Sequence, residues 1–137
     1  MSLIRATTRP YGPATVDVQI EQGADFVMKF TLTKNAAPWD LTNATFRAHF
    51  QLSVPTAQCI DLDVAPVDLA NGEVQVEFSA ASSLGPPFDA LPPLAEARPI
   101  RPDQYPLGGW LFEITDAGTT TRIAEGACFL DRDPCLM

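Results

Sequence analysis

The sequence predicts an all-β domain with almost no helix. Apolar and polar residues alternate with period two over most of the chain, as in strands that keep one face wet. Short turn signals rich in Gly, Pro, Asn and Asp separate these stretches. Hydrophobic residues make up 46% of the 137 residues, which suits one domain with a single core.

The first half of the chain contains three alternating stretches. Residues 16–20 form the first, and Gly23 then marks a bulge or a tight bend. Residues 26–33 form the clearest strand of the sequence, and 34–38 predict a turn. Residues 46–52 alternate again. We therefore expect three strands before residue 53.

The second half of the chain contains the remaining strands. They are expected at residues 60–64, 74–78, 110–114 and about 120–130. Asn71-Gly72 is a strong turn signal, and 116–118 predict a hairpin turn. Gly126 predicts a bulge within the last strand. The total is about seven strands.

A proline-rich segment interrupts this second half. Residues 79–84 suit one helical turn, which Gly85-Pro86-Pro87 ends. Residues 86–106 then contain seven of the thirteen prolines. Neither a helix nor a sheet ladder tolerates that density, so we expect a long, partly polyproline-like loop. Loops of this length in compact domains are often functional.

Strands with one apolar face must bury it in two packed sheets or in a small barrel. Aromatic residues dominate the predicted core. They are Phe26, Phe30, Phe46, Phe50, Phe78, Trp110 and Phe112. The expected organisation is an extended N-terminal arm (1–14), a β domain (15–131) with a long proline-rich insertion at 86–107, and a short C-terminal tail (132–137).

The charge and the cysteines limit the classes of function. A net charge of −8 disfavours binding to nucleic acids and to anionic membranes. No apolar run is long enough to cross a bilayer, and residues 1–13 lack the apolar stretch of a signal peptide. Cys59, Cys128 and Cys135 are odd in number and fit neither a disulfide framework nor a zinc site. We expect free thiols and folding in a cytoplasm.

The residues that could perform chemistry are scattered. His49 is the only histidine, and its alternation predicts a wet strand face without a catalytic partner. Cys128 is expected in the core, and Cys59 has no base beside it. Trp39 and Trp110 could be binding platforms, but a core or interface position is favoured. The sequence thus predicts no catalytic, cofactor-binding or metal-binding residue, and no enzyme.

Two groups of carboxylates are possible sites of ion binding or hydrolysis. Asp61, Asp63, Asp68 and Glu73 surround one loop, where a solvated acidic face is favoured over a weak cation site. Glu125, Asp131 and Asp133 lie near the C-terminus, and nothing marks a cleft that would make a hydrolytic pair of them.

Several short motifs, in order, resemble a module of tailed-bacteriophage virion proteins. They are Gln22-Gly23-Ala24-Asp25-Phe26, Asp40-Leu41-Thr42-Asn43, Asn71-Gly72-Glu73-Val74, the segment 80–91, Trp110-Leu111-Phe112-Glu113 and Glu125-Gly126-Ala127-Cys128-Phe129. The resemblance spans about residues 16–131. It implies an antiparallel, immunoglobulin-like β-sandwich in baseplate or tail-fibre-attachment proteins.

Two departures from the family pattern concern the turn and the loop. Asn43 stands where the family has glycine, and asparagine also tolerates the left-handed conformation. The excursion at 91–107 is longer than the family's few residues. This insertion is where we expect a contact specific to this protein.

The resemblance implies a structural virion protein, made in the host cytoplasm, that acts in a baseplate or tail. Its partners would be other baseplate or tail proteins and a tail fibre or its adaptor, with several copies in the assembly and no cofactor. The alternative is a stand-alone module that binds a carbohydrate or another ligand. Candidate partner-binding residues lie in the arm and in the proline-rich loop. They are Arg5, Arg9, Tyr11, Arg98, Ile100, Arg101 and Tyr105.

Overall fold

The computed structural model describes residues 2–7, 13–53, 57–91 and 104–131. The described part is almost entirely β, which confirms the predicted class. Its strands are β1 (Ser2–Thr7), β2 (Ala14–Thr15), β3 (Val18–Glu21), β4 (Phe26–Lys34), β5 (Ala37–Pro38), β6 (Thr45–Leu52), β7 (Gln58–Asp68), β8 (Glu73–Phe78), β9 (Gln104–Asp116) and β10 (Thr119–Asp131). A single α-helical turn, α1 (Ala80–Leu84), and two 3-10 turns, Leu69–Asn71 and Phe88–Ala90, complete it.

The strands form one continuous mixed sheet. Its order is β1-β4-β8-β7-β6-β9-β10-β2, with β3 also paired to β10 and β5 to β4. Strand β7 joins the two halves of the sheet, because residues 58–62 pair with β6 and residues 63–68 pair with β8. We call the part from β1 to β8 the first half and the part from β6 to β2 the second half.

The sheet differs from the purely antiparallel arrangement that the sequence suggested. Strand β1 runs parallel to β4, and both β2 and β3 run parallel to β10. The ten strands also exceed the predicted seven. Strands β2 and β5 have two residues each, too few to display an alternation. The immunoglobulin-like sandwich stays a prediction.

Part of the predicted N-terminal arm lies in the sheet. Residues Ser2–Thr7 form β1, and their register on β4 runs from Ser2 opposite Met28 to Thr7 opposite Thr33. The sequence Ser-Leu-Ile-Arg-Ala-Thr does not alternate, so periodicity could not detect this strand. Residues 8–12 of the arm and the tail 132–137 lie outside the described residues.

Aromatic rings from the two halves meet in the core. The ring of Phe30 on β4 lies 4.9 Å from Phe112 and 6.4 Å from Trp110, both on β9, measured between centroids. Phe50 on β6 packs edge-on against Phe78 on β8 at 5.2 Å. All five are buried, as the sequence predicts, because each occupies an inward position of its strand.

Phe26 and Phe46, the other two predicted core aromatics, are half-buried. Both lie at the first or second position of their strands, where the inner face begins to open. They therefore pack against the core from its rim.

The predicted turns occur where expected. Asn35 and Ala36 both have positive φ, 55° and 62°, which is the geometry of a two-residue turn between β4 and β5. Gly72 has φ +75°, and a Cβ there would lie 2.4 Å from the carbonyl oxygen of Leu32. The Asn71-Gly72 turn therefore needs its glycine.

Two turn expectations were wrong. Asn43 does not adopt the left-handed conformation; the Asp40 carboxylate instead accepts a hydrogen bond from the Thr42 amide at 3.0 Å and steadies an ordinary turn. Gly126 is not a bulge, since it pairs regularly with Trp110. The irregularities of β10 lie on either side, at 122–124 and 128–129.

Candidate partner-binding surface

The predicted partner-binding residues fall in three places. Arg5 lies on β1, in register with Thr31 of β4. Tyr105 lies on β9, opposite the buried Leu130, and its side chain is 0% exposed. The side chain of Tyr105 is therefore part of the core, contrary to its expected role on the surface. The others, Arg9, Tyr11, Arg98, Ile100 and Arg101, lie outside the described residues.

The structure fixes both ends of the proline-rich insertion. Before it, Phe88 and Leu91 are buried, and the ring of Phe88 packs against Phe78 at 5.6 Å between centroids. After it, Tyr105 and Leu107 are fully buried. Residues 92–103, which carry Arg98, Ile100 and Arg101, therefore connect two anchored points of the core. We call them the insertion segment.

The turn between β3 and β4 holds the first anchor. Gln22 is buried, and its Nε2 donates to the carbonyl oxygens of Ser83 and Phe88, each at 3.3 Å. The amide of Gly23 donates to Ser83 Oγ at 2.8 Å. We call these four residues the Gln22 clamp. It ties the β3–β4 turn to α1 and to the 3-10 turn just before the insertion segment.

Neighbouring contacts fix the helical turn inside this clamp. Ser79 caps α1 by accepting a hydrogen bond from the Ser82 amide at 3.1 Å. The Asp25 carboxylate accepts one from the Ala80 amide at 2.8 Å. The Gln-Gly-x-Asp-Phe pattern, noted in the sequence only as a motif, therefore holds α1 in place through hydrogen bonds from Gln22 and Gly23 to Ser83 and from the Ala80 amide to Asp25.

The second anchor is held by the backbone of β9. The Leu107 carbonyl oxygen accepts a hydrogen bond from the Ser53 amide at 2.8 Å. Gly108 has φ +143°, and a Cβ there would lie 2.2 Å from the carbonyl oxygen of Gln51. Close approach of β9 to the end of β6 therefore requires glycine at this position.

The outer face of the second half carries paired charges. Arg47 on β6 lies opposite Glu113 on β9, and Glu113 lies opposite Arg122 on β10. Arg122 also forms an ion pair with Glu125 at 3.2 Å. Opposite charges in neighbouring positions stabilise such a face only modestly in water. They make it a polar surface of mixed sign.

His49 lies within this face but is buried, contrary to the expected wet position. It is 2% exposed, between Asp61 of β7 and Leu111 of β9. The reason is its place on a central strand, where neighbours on both sides cover the ring. Among the described residues its Nδ1 has no hydrogen-bond partner, whereas its Nε2 lies 3.4 Å from Gln51 Nε2. Burial, followed by the charge of Arg47, lowers the pKa of the ring below its ordinary value.

The acidic residues of β7 spread along the strand. Asp63 lies opposite Glu77, and Asp68 lies opposite Glu73, so that Asp61, Asp63 and Asp68 do not converge. Within the described ranges, no group of three His, Cys, Asp or Glu residues could hold a metal ion. The arrangement suits a solvated acidic surface.

The cysteines and tryptophans considered as chemical candidates are mostly buried in the core. Cys128 is buried, which raises the pKa of its thiol and disfavours the reactive thiolate, whereas Cys59 is exposed. Trp39 and Trp110 are both buried, as favoured from the sequence. Trp39 Nε1 donates to the carboxylate of Asp116 at 3.0 Å. Cys135 and Asp133 lie outside the described residues.

Two open grooves flank Asp63 on the sheet surface. One has a volume of about 230 Å³ and is lined by Phe26 together with Asp25, Asp63 and Glu77. The other has a volume of about 560 Å³, with Phe46, Arg47, Asp61 and Asp63 in its wall. Each combines a half-buried ring with carboxylates. Among the described residues, no helix is long and apolar enough to cross a bilayer.

Comparisons with known proteins give a weak likeness to a solved structure. The chain matches no protein-family model and no curated protein. Among solved structures it is similar to the N-terminal domain of phage TP901-1 ORF48, at 9% identity and a TM-score of 0.48, with 96% of this chain and 100% of that chain covered. At this degree of similarity the likeness decides neither the fold family nor the function.

Proposed function

We propose that this chain is a structural virion protein of a tailed phage, a baseplate or tail subunit present in several copies. It assembles by protein–protein contacts and connects a tail fibre or neighbouring baseplate proteins. It is made in the host cytoplasm and acts in the virion. It is not an enzyme, and its mixed sheet, whose two halves face each other across the aromatic core, corresponds to the immunoglobulin-like sandwich of such modules.

The Gln22 clamp is the observation that carries this proposal. The motif by which the sequence resembles phage virion modules contributes its glutamine and glycine to hydrogen bonds that hold α1 and Phe88. The motif thus has a framework role at the base of the insertion segment.

The insertion segment suits binding to a protein partner. Its two ends are anchored by buried residues, and its prolines restrict the backbone between them. Both features reduce the conformational entropy that is lost when a partner orders the segment. Arg98, Ile100 and Arg101 would supply the contacts.

The positions of the chemical groups support a role without catalysis. His49 is buried on a central strand, and the buried Cys128 has a raised thiol pKa. The carboxylates of β7 lie opposite different residues of the neighbouring strands: Asp61 opposite His49, Asp63 opposite Glu77 and Asp68 opposite Glu73. In the described part of the chain, these groups do not come together with a nucleophile and a base in one site.

Analysis of purified phage particles tests the proposal. A tagged copy of the chain should co-purify with tail proteins at a fixed stoichiometry and should locate to the tail or baseplate by cryo-electron microscopy. Particles made without the chain should lack a complete baseplate or their fibres. Fully infectious particles with normal tails that contain none of the chain would refute the proposal.

Limited proteolysis tests the role of the insertion segment. In the isolated chain, protease should cleave first within residues 92–103. Assembly into the tail should protect this segment. Cleavage that begins within β4 or β9 would instead contradict the fold on which the proposal depends.

A carbohydrate- or ligand-binding module is the second candidate. The groove beside Phe46 favours it, because a half-buried ring next to Arg47 and Asp61 could stack on a sugar and bond its hydroxyls. No aromatic ring in the described ranges is exposed, however, and such modules need an exposed platform. A specific signal on a glycan array, lost in Phe46→Ala, would favour this candidate.

A further inference from the structure

The turn between β7 and β8 leaves an asparagine side chain in solvent next to a glycine. Asn71 is exposed, whereas Gly72 is buried. The chain contains three asparagines, and all of them are exposed, but Asn35 and Asn43 are each followed by alanine. Asn71 is therefore the one asparagine whose following residue has no Cβ to obstruct an approach of its backbone nitrogen to the side chain.

The fold requires this glycine. Gly72 has φ +75°, and a Cβ there would overlap the carbonyl oxygen of Leu32. The Gly72 carbonyl oxygen also accepts a hydrogen bond from the Leu32 amide at 2.9 Å. Any other residue at position 72 would be strained, so the fold itself maintains the Asn-Gly pair.

An asparagine beside a glycine can be converted to a carboxylate by its own main chain. The Gly72 nitrogen, after losing its proton to hydroxide, forms a bond to Asn71 Cγ. The Cγ–Nδ2 bond breaks, and Nδ2 leaves as ammonia with a proton from water, which regenerates the hydroxide. Water then opens the cyclic succinimide at either carbonyl group and yields aspartate or isoaspartate. The net reaction consumes water and releases ammonia without oxidation or reduction.

Two hydrogen bonds oppose this reaction in the folded chain. Asn71 Nδ2 donates to Asp68 Oδ2 at 2.8 Å, which fixes the side-chain amide on the Asp68 carboxylate. The Gly72 amide donates to the carbonyl oxygen of Leu69 at 3.2 Å, and its nitrogen must give up this bond before it can attack. The reaction therefore needs a local opening of the turn.

We propose that Asn71 is a site of spontaneous deamidation, and that the Asp68 carboxylate and the Leu69 carbonyl oxygen restrain the reaction in the folded chain. The reaction needs water and hydroxide alone. The proposal is independent of the proposed function, because it concerns one turn and not a partner. Failure of either one leaves the other unchanged.

Deamidation should weaken the end of the sheet at which the turn lies. It replaces the amide that donates to Asp68 by a carboxylate, and Glu73 already lies opposite Asp68. Three carboxylates then meet at one turn, and like charges in such positions are destabilising. Isoaspartate also adds a methylene to the main chain beside Gly72, which lies close to the backbone of Trp39. The deamidated chain should therefore unfold at a lower temperature.

Storage of the full chain in mildly alkaline buffer, followed by peptide mass spectrometry, tests the site. The peptide that contains Asn71 should be converted to the aspartate and isoaspartate forms. Asn35 and Asn43 are internal controls, because they are also exposed and should react much more slowly. Storage of the chain unfolded in urea should speed conversion of Asn71 about tenfold or more, because the turn no longer has to open.

Three variants test the restraint and its consequence. Asp68→Ala should speed conversion of Asn71 in the folded chain about threefold, as expected for loss of one exposed hydrogen bond. Asp63→Ala removes another exposed carboxylate of β7 and should leave the rate unchanged. Asn71→Gln keeps an amide but would need a larger ring that forms more slowly. Its Tm should stay constant during storage, whereas the Tm of the original chain should fall.

Any of three results would overturn the proposal. The first is an unconverted Asn71 in the urea-unfolded chain after storage. The second is conversion of Asn35 or Asn43 as fast as that of Asn71. The third is the same rate in Asp68→Ala as in Asp63→Ala, which would show that the Asp68 carboxylate does not restrain the amide.

Discussion

The indole of Trp110 donates a hydrogen bond from Nε1 to the carbonyl oxygen of Val16 at 2.7 Å. Between them lies Gly126, which pairs with Trp110 in the sheet. A Cβ on Gly126 would lie 2.0 Å from the Val16 oxygen. The missing side chain therefore lets the N-terminal stretch lie close against β10, where the Val16 amide also donates to Glu125 O at 2.9 Å.

Gly126→Ala should therefore destabilise the fold. The added methyl group must displace backbone and not a flexible side chain, so we expect a loss of about 2 kcal/mol or more in the free energy of unfolding. Urea denaturation measures it. Gly85→Ala is the matched control, since its Cβ would meet nothing closer than 3.8 Å and should change stability little. Equal stability of the two variants would contradict the close approach.

Gln22→Ala should loosen the base of the insertion segment. The change leaves the carbonyl oxygens of Ser83 and Phe88 without the amide that bonds them, at a cost of about 1–3 kcal/mol. Proteolysis should then extend from residues 92–103 into the 3-10 turn at Phe88. Gln19→Ala, at an exposed position of the preceding strand β3, should leave both the stability and the cleavage pattern unchanged.

His49 should make the fold less stable in mild acid. Its folded pKa is lowered below the ordinary value of 6.5, so the folded chain keeps the ring neutral where the unfolded chain takes up a proton. Stability should be full above about pH 6.5 and should fall as the pH drops below that value toward the folded pKa. Denaturation at pH 7.5 and 5.5 measures this decline, and His49 is the only histidine that could cause it.

His49→Leu is the variant that isolates this effect. It should remove most of the decline between pH 7.5 and 5.5. At pH 7.5 it should change stability little, because among the described residues Nδ1 has no hydrogen-bond partner and Nε2 makes only a long contact of 3.4 Å with Gln51 Nε2. A variant with the same pH slope as the original chain would show that His49 titrates normally.

The two described cysteines should differ sharply in reactivity. In a Cys135→Ser background, iodoacetamide should label Cys59 in the native chain, because this residue is exposed. Cys128 should react only after denaturation, since burial keeps its thiol protonated and inaccessible. Mass spectrometry of labelled peptides measures both sites. Rapid native labelling of Cys128 would contradict its place in the core.

Sequence patterns predicted the framework of the fold well where a pattern had enough residues to show itself. The nine residues of β4 alternate, and the structure buries Met28, Phe30 and Leu32 on its inner side. The Asn71-Gly72 turn could be predicted because the Asn-Gly pair is a local turn signal, and the structure adds that a Cβ on Gly72 would lie 2.4 Å from the Leu32 carbonyl oxygen. The helical turn after residue 79 was also expected, and it is present as α1.

The candidate surface could be predicted only in part. Sequence composition indicated the proline-rich insertion, but it could not show that Tyr105 belongs to the core at its far end. It identified the Gln22-Gly23 motif without the hydrogen bonds to Ser83 and Phe88. Those bonds join residues about sixty positions apart, which no local pattern records.

The sequence by itself determined the seven longer alternating strands, the place of most turns and five of the aromatic rings that are buried in the core. Period-two alternation fixes the face to which a side chain points, and this information is local. Only the tertiary structure decided that β1 pairs in parallel with β4 and that neighbouring strands bury His49 on the outer face. Only the tertiary structure, too, decided that the Val16 backbone lies where a side chain of residue 126 would be. The physical reason is that strand neighbours, and the cover they give a side chain, depend on contacts between distant parts of the chain.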